Sequence, residues 1–272
     1  MKDTLHVKYD KLLSMISGWG SAAVAFSGGT DSSFLCYCAV TALGSRSIAV
    51  TVVSPMLPQS ELESARAVAA FTGITHVLLE ETDIDGEVAA NPKDRCYYCK
   101  KLEFGAIIKA AAARGITTVL DGSNTDDLSD WRPGMRALSE LQIQSPLREA
   151  GLCKAEIRKL SREFKLPTWD KPAFACLASR FPYGERIDSE KLKRVEKAEA
   201  YLQRLGFRQI RVRSHNAIAR IEVAPDERRK FFDEALLDTI SGALKSFGFL
   251  FVSFELEGYK MGSLNAEIDT TS

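Results

Sequence analysis

Ser27-Gly28-Gly29-Thr30-Asp31-Ser32 decides the fold, because it lies between an apolar run, Ala22 to Phe26, and a helical run, Ser33 to Leu43. A strand that turns into a helix through glycines lets backbone N–H groups approach an anion, and the helix dipole favours negative charge there. The hydroxyls add donors, and Asp31 can cap the helix or hold a cation. An ordinary strand-to-helix turn is the simpler interpretation, but the full pattern favours an anion-binding loop.

Apolar strands alternate with helical periods along the first two thirds of the chain. This alternation predicts an α/β fold with a doubly wound parallel sheet, whose ligands bind at the carboxyl ends of the strands. The predicted elements are helices over residues 4–18, Gln59 to Phe71, Tyr97 to Arg114 and Lys154 to Phe164, and further strands over Ser47 to Val53, His76 to Leu79 and Thr117 to Leu120.

The pattern changes after residue 184. Leu166 to Gly184 contains three prolines and several aromatic residues, which predict an ordered loop. Beyond it the order α-β-β-α-β predicts a smaller C-terminal α+β domain on an antiparallel sheet. We therefore divide the chain into two domains, residues 1–184 and residues 185–272. We expect the second domain to serve in substrate binding or oligomerisation. We also expect the tail from Gly262 to be mobile. The predicted elements of the second part are a helix from Ser189 to Leu205, strands over Gln209 to Ser214 and Ala219 to Val223, a helix over 226–246 and a strand from Phe249 to Leu256.

Composition narrows the class of protein. The 272 residues include 36 basic and 36 acidic side chains, so the formal net charge is zero and no general nucleic-acid footprint is present. No signal peptide or membrane span is recognisable, since the longest apolar-aromatic stretch, Phe247 to Phe254, is too short to cross a bilayer. We expect a cytoplasmic protein, in which six cysteines are reduced, metal-bound or catalytic.

Three cysteines stand out. Cys96 and Cys99 open a predicted helix and share one of its faces, and Cys176 lies in the ordered loop. Three thiols suit an iron–sulfur cluster with one open iron site, or two ligands and a nucleophile. Zinc with His76 or His215 as a fourth ligand has no supporting spacing, and two structural thiols are a further interpretation of the Cys-x-x-Cys pair. The remaining cysteines, Cys36, Cys38 and Cys153, are predicted to be small core residues.

The hexapeptide at residues 27–32 resembles the signature of the PP-loop ATP pyrophosphatases, which have the adenine nucleotide alpha hydrolase-like fold. A second stretch, Asp121 to Asp127, resembles the loop of those enzymes near pyrophosphate and Mg²⁺, although an Asx turn would explain it too. The resemblance implies that residues 1–184 split ATP between its α and β phosphates. The resemblance also implies nine ATP-binding residues: Ser27, Gly28, Gly29, Thr30, Asp31, Ser32, Ser54, Gly122 and Asp126. It implies that Asp31 and Asp126 also bind Mg²⁺ and that Asp31 is a catalytic residue.

Longer strings are similar to the LarE family, the ATP-dependent sulfur transferases that build the nickel-pincer nucleotide cofactor of lactate racemase. The strings are Ser179 to Gly184, Asp130-Trp131-Arg132-Pro133-Gly134, Arg211-Val212-Arg213, His215-Asn216 and Ile218 to Glu222. In that family the carboxylate of a pyridinium dicarboxylate mononucleotide is adenylated and attacked by the loop cysteine, here Cys176. Sacrificial members leave that cysteine as dehydroalanine.

Cys96 and Cys99 depart from the sacrificial members. Members with three cysteines hold a [4Fe-4S] cluster and donate sulfur repeatedly, so the resemblance implies catalytic and iron-ligating roles for Cys96, Cys99 and Cys176. It also implies a small-molecule nucleotide substrate, a homo-oligomer and an external sulfide or sulfur donor, with neither nucleic acid nor membrane as partner. The implied substrate-binding residues are Lys100, Ser179, Arg180, Glu199, Arg211, Arg213 and Glu222.

Three other functions remain open at this stage. A PP-loop tRNA thiolase also uses three cysteines, but zero net charge argues against RNA binding. A non-catalytic nucleotide-binding or metal-binding protein would leave the cysteines structural. An amide-forming ligase similar to NAD synthetase would need no thiols in the loop.

Overall fold

The computed structural model of the protein describes residues 3–129, 133–172 and 175–260. Asp130, Trp131 and Arg132, which carry part of the resemblance, and the tail from Gly262 lie outside the described residues. The chain divides into two compact units, the first made of Met1–Thr82 and Asp94–Phe174 and the second of Asp83–Lys93 and Ala175–Ser272.

A parallel sheet forms the centre of the first unit. In the described residues it has four strands in the order β3-β2-β1-β4, and every neighbouring pair is parallel. The predicted α/β fold with a parallel sheet is therefore confirmed, and the second strand has the predicted bounds. The strands are β1 (Ala22–Ala25), β2 (Ser47–Val53), β3 (Thr75–Glu80) and β4 (Val119–Leu120).

Helices cover both faces of this sheet, because successive side chains of a strand point to opposite faces. Ala22 and Val24 of β1 pack in one apolar core, whereas Ala23 packs in another with Phe104 and Ile107. In chain order the helices up to residue 163 are α1 (Thr4–Gly18), α2 (Thr30–Leu43), α3 (Gln59–Thr72), α4 (Gly86–Ala89, in the second unit), α5 (Arg95–Ala112), α6 (Gly134–Glu140), α7 (Pro146–Glu149) and α8 (Lys154–Glu163).

Helices α2 and α5 begin earlier than the sequence predicts, α5 at Arg95 rather than at Tyr97. Helix α2, expected from Ser33, begins at Thr30, with Gly29 as its N-cap and the Gly29 carbonyl accepting from the Ser33 N–H at 3.0 Å. Helix α8 begins at Lys154 as predicted, and its N-cap residue is Cys153, whose N–H donates to Glu156 at 3.0 Å. Cys153 is half-buried and serves as a cap, so its interpretation as a core residue is wrong, whereas Cys36 and Cys38 are buried.

The second unit contains a mixed sheet. Strands β5 (Ile210–His215) and β6 (Ile218–Val223) are antiparallel, but β7 (Phe251–Phe254) pairs with β6 in parallel. The prediction of a purely antiparallel sheet is wrong for β7, because α10 (Glu234–Ser246) connects β6 to β7 and a crossover helix brings strands into parallel pairing. Helix α9 (Ser189–Arg204) precedes β5, and the predicted helix over 226–246 is instead a 3₁₀ turn, Pro225–Phe232, followed by α10.

The second unit also takes chain from before residue 185. The Asn91 side chain donates to the Pro182 carbonyl at 2.6 Å, and the Ile187 N–H donates to the Ala89 carbonyl at 2.8 Å. Residues 83–93 and 175–184 therefore group with the second unit, whereas the sequence division ran at residue 184. Across the described ranges, no helix is long and apolar enough to cross a membrane.

Gly28 is required by the packing of the first unit. Its φ of +75° lies in the left-handed region, and a Cβ at this position would lie 2.5 Å from the Glu61 carbonyl oxygen and 3.0 Å from the Ala65 nitrogen, both on α3. A side chain here would collide with backbone, which cannot yield as a flexible side chain does.

We expect Gly28→Ala to lower the free energy of unfolding by about 2 kcal/mol or more, because a left-handed backbone alone costs a non-glycine residue about 1–2 kcal/mol. Urea titration followed by circular dichroism measures the free energy of unfolding of the variant and of the wild type. Gly105→Ala is the control: a Cβ there meets open space within α5, and the change should raise stability by about 1 kcal/mol. Equal stability of Gly28→Ala and the wild type would contradict the packing argument.

Candidate functional site

Residues 27–32, which we call the nucleotide loop after the ligand predicted from the sequence, join β1 to α2 next to the loop that follows β4. Strand order places β1 beside β4, so their following loops lie at the same edge of the sheet. Gly122 permits the approach, since a Cβ there would lie 3.1 Å from the Ser32 nitrogen. Thr30, Asp31 and Ser32 form the first turn of α2, where N–H groups and the helix dipole favour an anion. The predicted ATP-binding residues of these two loops are thus brought together.

Hydroxyl contacts order the nucleotide loop from within. The Ser27 and Ser32 hydroxyls lie 3.2 Å apart, and Ser32 also donates to the Gly29 carbonyl at 3.2 Å. Ser54 follows β2 at the same edge of the sheet, and its carbonyl accepts from the Leu57 N–H at 3.0 Å. Because Gly28 and Gly29 have no side chains, a ligand can approach the backbone of the loop at these two residues.

Asp31 carries the main charge of the loop. Its Oδ2 accepts from the Lys154 ammonium group, whereas its Oδ1 is buried and has no hydrogen-bond partner among the described residues. Burial raises the pKa of the Asp31 carboxyl, and nearby Lys154 opposes that effect only in part. A buried carboxylate oxygen without a donor is a suitable ligand for a hard cation such as Mg²⁺.

Asp126 lies in a turn attached to the same lysine. Its Oδ2 accepts from the Lys154 N–H at 3.0 Å, and its own N–H donates to the Asn124 side chain at 2.9 Å. The Asx turn considered from the sequence is therefore present, with the Asn124 N–H donating to Asp127 at 3.0 Å. Lys154 thus contacts both acidic residues, Asp31 through its ammonium group and Asp126 through its backbone N–H.

Sequence reasoning missed two lysines at this loop. Lys154 pairs with Asp31, and the Lys171 ammonium group donates to the Gly28 carbonyl at 3.0 Å and pairs with Glu61 at 2.9 Å. Neither lysine belongs to a motif, because both reach the loop through tertiary packing. For Lys171, the sequence offered one indication: the residue lies in the proline-rich loop that was predicted to be ordered.

Cys96 and Cys99 are the second and fifth residues of α5, in the first unit. Cys96 is exposed and Cys99 is half-buried. An Arg95 guanidinium nitrogen lies 3.9 Å from the Cys96 sulfur. Lys100, a predicted substrate residue, instead places its ammonium group 4.9 Å from the centre of the Phe104 ring, and Lys101 donates to the Tyr97 hydroxyl at 3.0 Å.

Cys176 is exposed in the second unit, at the start of a tight 3₁₀ turn, Leu177–Arg180. Its carbonyl accepts from the Ser179 N–H at 3.1 Å, the Ser179 hydroxyl at 2.9 Å and the Arg180 guanidinium at 3.0 Å.

All six cysteines of the chain lie in the described residues, and none forms a disulfide. In the described part of either unit, no three His, Cys, Asp or Glu side chains gather as a metal site.

Arg180 holds this cysteine turn from inside the second unit. It is completely buried and forms two parallel hydrogen bonds with the Glu199 carboxylate, at 2.8 and 2.9 Å. Burial works to lower the pKa of Arg180, but the charge of Glu199 outweighs it and raises that pKa. Glu199 also accepts from the Val212 N–H of β5 at 2.9 Å. Arg180, predicted to bind substrate, thus positions the turn.

A second buried pair extends the network. Arg213 donates to the Ser179 carbonyl at 2.7 Å and to Glu222 at 2.9 Å, and Glu222 also accepts from Arg220. Arg211 is buried, with its guanidinium 5.0 Å from the centre of the Tyr259 ring, and burial together with nearby Arg180 lowers its pKa. Within this network the buried charged side chains are three arginines and two glutamates, and arginine side chains suit phosphate or carboxylate. All six predicted substrate residues of the second unit belong to this network: Ser179, Arg180, Glu199, Arg211, Arg213 and Glu222.

The parallel sheet and the glycine loop at the N-terminus of α2 are consistent with a Rossmann-like PP-loop protein. No protein-family model matches the chain. The chain is similar to curated proteins over nearly its whole length. It is 44% identical to an uncharacterised protein of Synechocystis over 96% of this chain and 98% of the relative, and 35% identical to the pyridinium-3,5-bisthiocarboxylic acid mononucleotide synthase of Lactiplantibacillus plantarum over 96% and 95%.

An uncharacterised protein of Methanocaldococcus jannaschii is 30% identical over 87% of this chain and 90% of the relative. The chain belongs to the LarE family, the family of pyridinium-3,5-bisthiocarboxylic acid mononucleotide synthase.

We expect Glu199→Gln to lower the free energy of unfolding by about 3 kcal/mol or more, because it leaves the buried Arg180 charge without its counterion. Glu255→Gln is the matched control, since the partner of Glu255, Arg220, also pairs with Glu222, and it should change stability by less than about 1 kcal/mol. Urea titration of both variants gives the comparison. A Glu199→Gln protein as stable as the control would show that the pair does not hold the cysteine turn.

Proposed function

We propose that the protein is an ATP-dependent sulfur transferase that converts a carboxylate of a pyridinium dicarboxylate mononucleotide into a thiocarboxylate. The observation that carries the ATP part is the buried Oδ1 of Asp31 at the N-terminus of α2, which has no hydrogen-bond partner in the part of the chain that the structure describes and lies beside the loop that contains Asp126. The thiocarboxylate product is taken from the name of the relative with 35% identity, and the dicarboxylate substrate from the resemblance to the LarE family. A cytoplasmic location is part of the same proposal.

The nucleotide loop supports adenylation. Backbone N–H groups at the start of α2 are suited to the ATP phosphates, and a substrate carboxylate oxygen would attack the α phosphorus while pyrophosphate departs. Asp31 and Asp126 are the residues that would hold Mg²⁺, which would supply positive charge to neutralise the pyrophosphate. Lys154 brings a second positive charge to the same place. The products of this half of the reaction are AMP and pyrophosphate.

The charged network of the second unit supports the substrate side. A mononucleotide with two carboxylates is strongly anionic, and arginine side chains bind phosphate and carboxylate with paired hydrogen bonds. Arg211 and Arg213 are the other two buried arginines of the network, and we propose that they bind these anionic groups. Lys100 stays a proposed substrate residue, although its ammonium group lies over Phe104.

The sulfur side rests on three thiols. Cys96, Cys99 and Cys176 are the residues that would hold a [4Fe-4S] cluster. Three thiolates leave one iron open, and a cluster there would supply sulfide as the nucleophile that displaces AMP. External sulfide or another sulfur donor would then restore it. The alternative is sacrificial: the exposed Cys176 attacks the adenylate itself and gives up its sulfur, leaving dehydroalanine.

We also propose that the protein assembles as a homo-oligomer through its second unit. Large apolar side chains are exposed there, among them Phe232, Leu250, Phe251 and Leu256. Apolar patches of this kind are typical of interfaces. The proposed partners are otherwise the small-molecule nucleotide and the sulfur donor, with neither nucleic acid nor membrane.

We expect the wild type to form AMP and pyrophosphate from ATP only when the pyridinium dicarboxylate mononucleotide is added, and Asp31→Ala to lower that rate about 100-fold or more. The measurement is chromatographic separation of AMP, ADP and ATP. Glu257→Ala, at an exposed carboxylate of the second unit paired with Lys260, is the control and should keep the wild-type rate. Release of ADP, or AMP formation without the carboxylate, would contradict the proposal.

We expect anaerobically purified protein to contain iron and sulfide, and Cys96→Ala or Cys99→Ala to lose both together with repeated turnover. Cys153→Ser, which alters a helix cap, is the control that should retain them. Iron and sulfide analysis and the intact mass after turnover decide the matter. A protein that loses the mass of H₂S after one turnover would support sacrificial Cys176, and full repeated turnover by Cys96→Ala would contradict the cluster.

A further inference from the structure

Lys154 lies where two helices of the first unit begin. It is the first residue of α8, and its ammonium group contacts Asp31, the second residue of α2. The N-terminus of a helix favours negative charge, so an ammonium group beside two such ends is unfavourable unless an anion compensates it. Asp31 supplies that anion. Helix stability alone would favour a neutral or acidic residue at this position, which indicates a role for the lysine beyond the fold.

The backbone of Lys154 is fixed, whereas its ammonium group is exchangeable. The Lys154 N–H donates to Asp126 Oδ2 at 3.0 Å, and the preceding residue, Cys153, is the N-cap of α8. The Lys154 side chain is 32% exposed and that of Asp31 is 20% exposed. An ion pair that contacts water to this extent opens readily, because water replaces the lost hydrogen bond. The ammonium group can therefore change partner while the lysine backbone stays in place.

Asp31 is also the residue that we propose as a Mg²⁺ ligand. Its Oδ2 accepts from Lys154, and its buried Oδ1 has no hydrogen-bond partner among the described residues. A divalent cation on this carboxylate would lie next to the ammonium group, and two positive charges at such a distance repel each other. An ammonium group cannot join the oxygen ligands of Mg²⁺, because it has donors and no acceptor. A cation bound at Asp31 would therefore displace the ammonium group of Lys154.

The displaced ammonium group would remain beside the first turn of α2. The lysine side chain is a flexible four-carbon stem with three donors at its end, and in Lys154 it already reaches Asp31 in that turn. The N–H groups of the same turn are those that we propose bind the ATP phosphates. Phosphate oxygens are strong hydrogen-bond acceptors with negative charge. Phosphate bound there would offer the ammonium group a new anionic partner in place of Asp31.

We infer that Lys154 is an exchangeable counterion of the nucleotide loop. In the ligand-free protein it neutralises Asp31, and when a divalent cation takes Asp31 its ammonium group transfers to the phosphates of ATP. The inference rests on the proposed function, since it needs a cation and ATP at residues 27–32. It gives Lys154 two opposite effects: the lysine weakens binding of the cation alone and strengthens binding of ATP in the presence of the cation.

The test compares two affinities of the full chain in the wild type and in Lys154→Met. The affinity for Mn²⁺ alone is measured by electron paramagnetic resonance of the free ion, and the affinity for ATP at saturating Mn²⁺ is measured by calorimetry. We expect Lys154→Met to bind Mn²⁺ at least about fivefold more tightly than the wild type and ATP at least about fivefold more weakly. A lysine with a merely structural role would support both affinities, so its loss would weaken both. Lys154→Arg, which keeps the charge, should restore both.

Lys8→Met is the matched control. Lys8 pairs with Glu156, in the first turn of the same helix, at 2.7 Å, and its side chain is 29% exposed. Its loss removes a similar ion pair at the start of α8 without touching Asp31, and both affinities should stay at the wild-type values. Asp31→Ala should lose the Mn²⁺ site, which separates that site from adventitious binding of the ion.

Equal or weaker Mn²⁺ binding by Lys154→Met, or unchanged ATP binding, overturns the exchange. A wild type whose Mn²⁺ affinity does not fall in Asp31→Ala overturns it as well. Where Lys154→Met does not fold, Lys154→Gln takes the same test. Formation of AMP with the carboxylate substrate is measured separately on the wild type. A protein that shows both shifts in affinity and forms no AMP contradicts the proposed function and supports the exchange.

Discussion

The close approach of Gly28 to the backbone of α3 is the constraint on which the nucleotide loop depends. Because no Cβ fits at that position, the loop can turn directly from β1 into α2 and present the first turn of the helix at the edge of the sheet. The same turn places Asp31 beside Lys154 and leaves its Oδ1 buried and without a partner among the described residues. A loop stabilised for the ligand-free protein alone would not keep an unpaired carboxylate oxygen there.

The second unit holds an exposed cysteine, which we propose reacts, on an ordered turn. Cys176 is exposed, but the carbonyl groups on its own turn are held by Arg180 and Arg213, which are buried and paired with Glu199 and Glu222. Buried charge pairs contribute little net stability, but they tolerate no other geometry. The network therefore specifies the position of one turn, at the expense of desolvating several charges.

Much of this architecture is predictable from sequence, because local patterns determine it. The apolar run Ser47 to Val53 forms β2 with the same bounds, and α3 begins at the predicted Gln59 and ends at Thr72, one residue beyond the predicted Phe71. The N-terminus of α2 was placed three residues late, since polar residues of a first turn resemble a loop. Lys154 and Lys171 could not be predicted, because their contacts join segments more than 100 residues apart in the chain. The parallel pairing of β7 likewise depends on a crossover rather than on strand composition.

The central claim is that ATP activates a carboxylate oxygen for displacement by sulfur. The most direct measurement labels the carboxylates of the pyridinium dicarboxylate mononucleotide with ¹⁸O and determines the mass of the AMP formed. Adenylation joins a carboxylate oxygen to the α phosphorus, and attack by sulfur then breaks the bond from carbon to that oxygen. The account predicts AMP with one ¹⁸O atom from the substrate. Unlabelled AMP, or ¹⁸O found in inorganic phosphate, would contradict it.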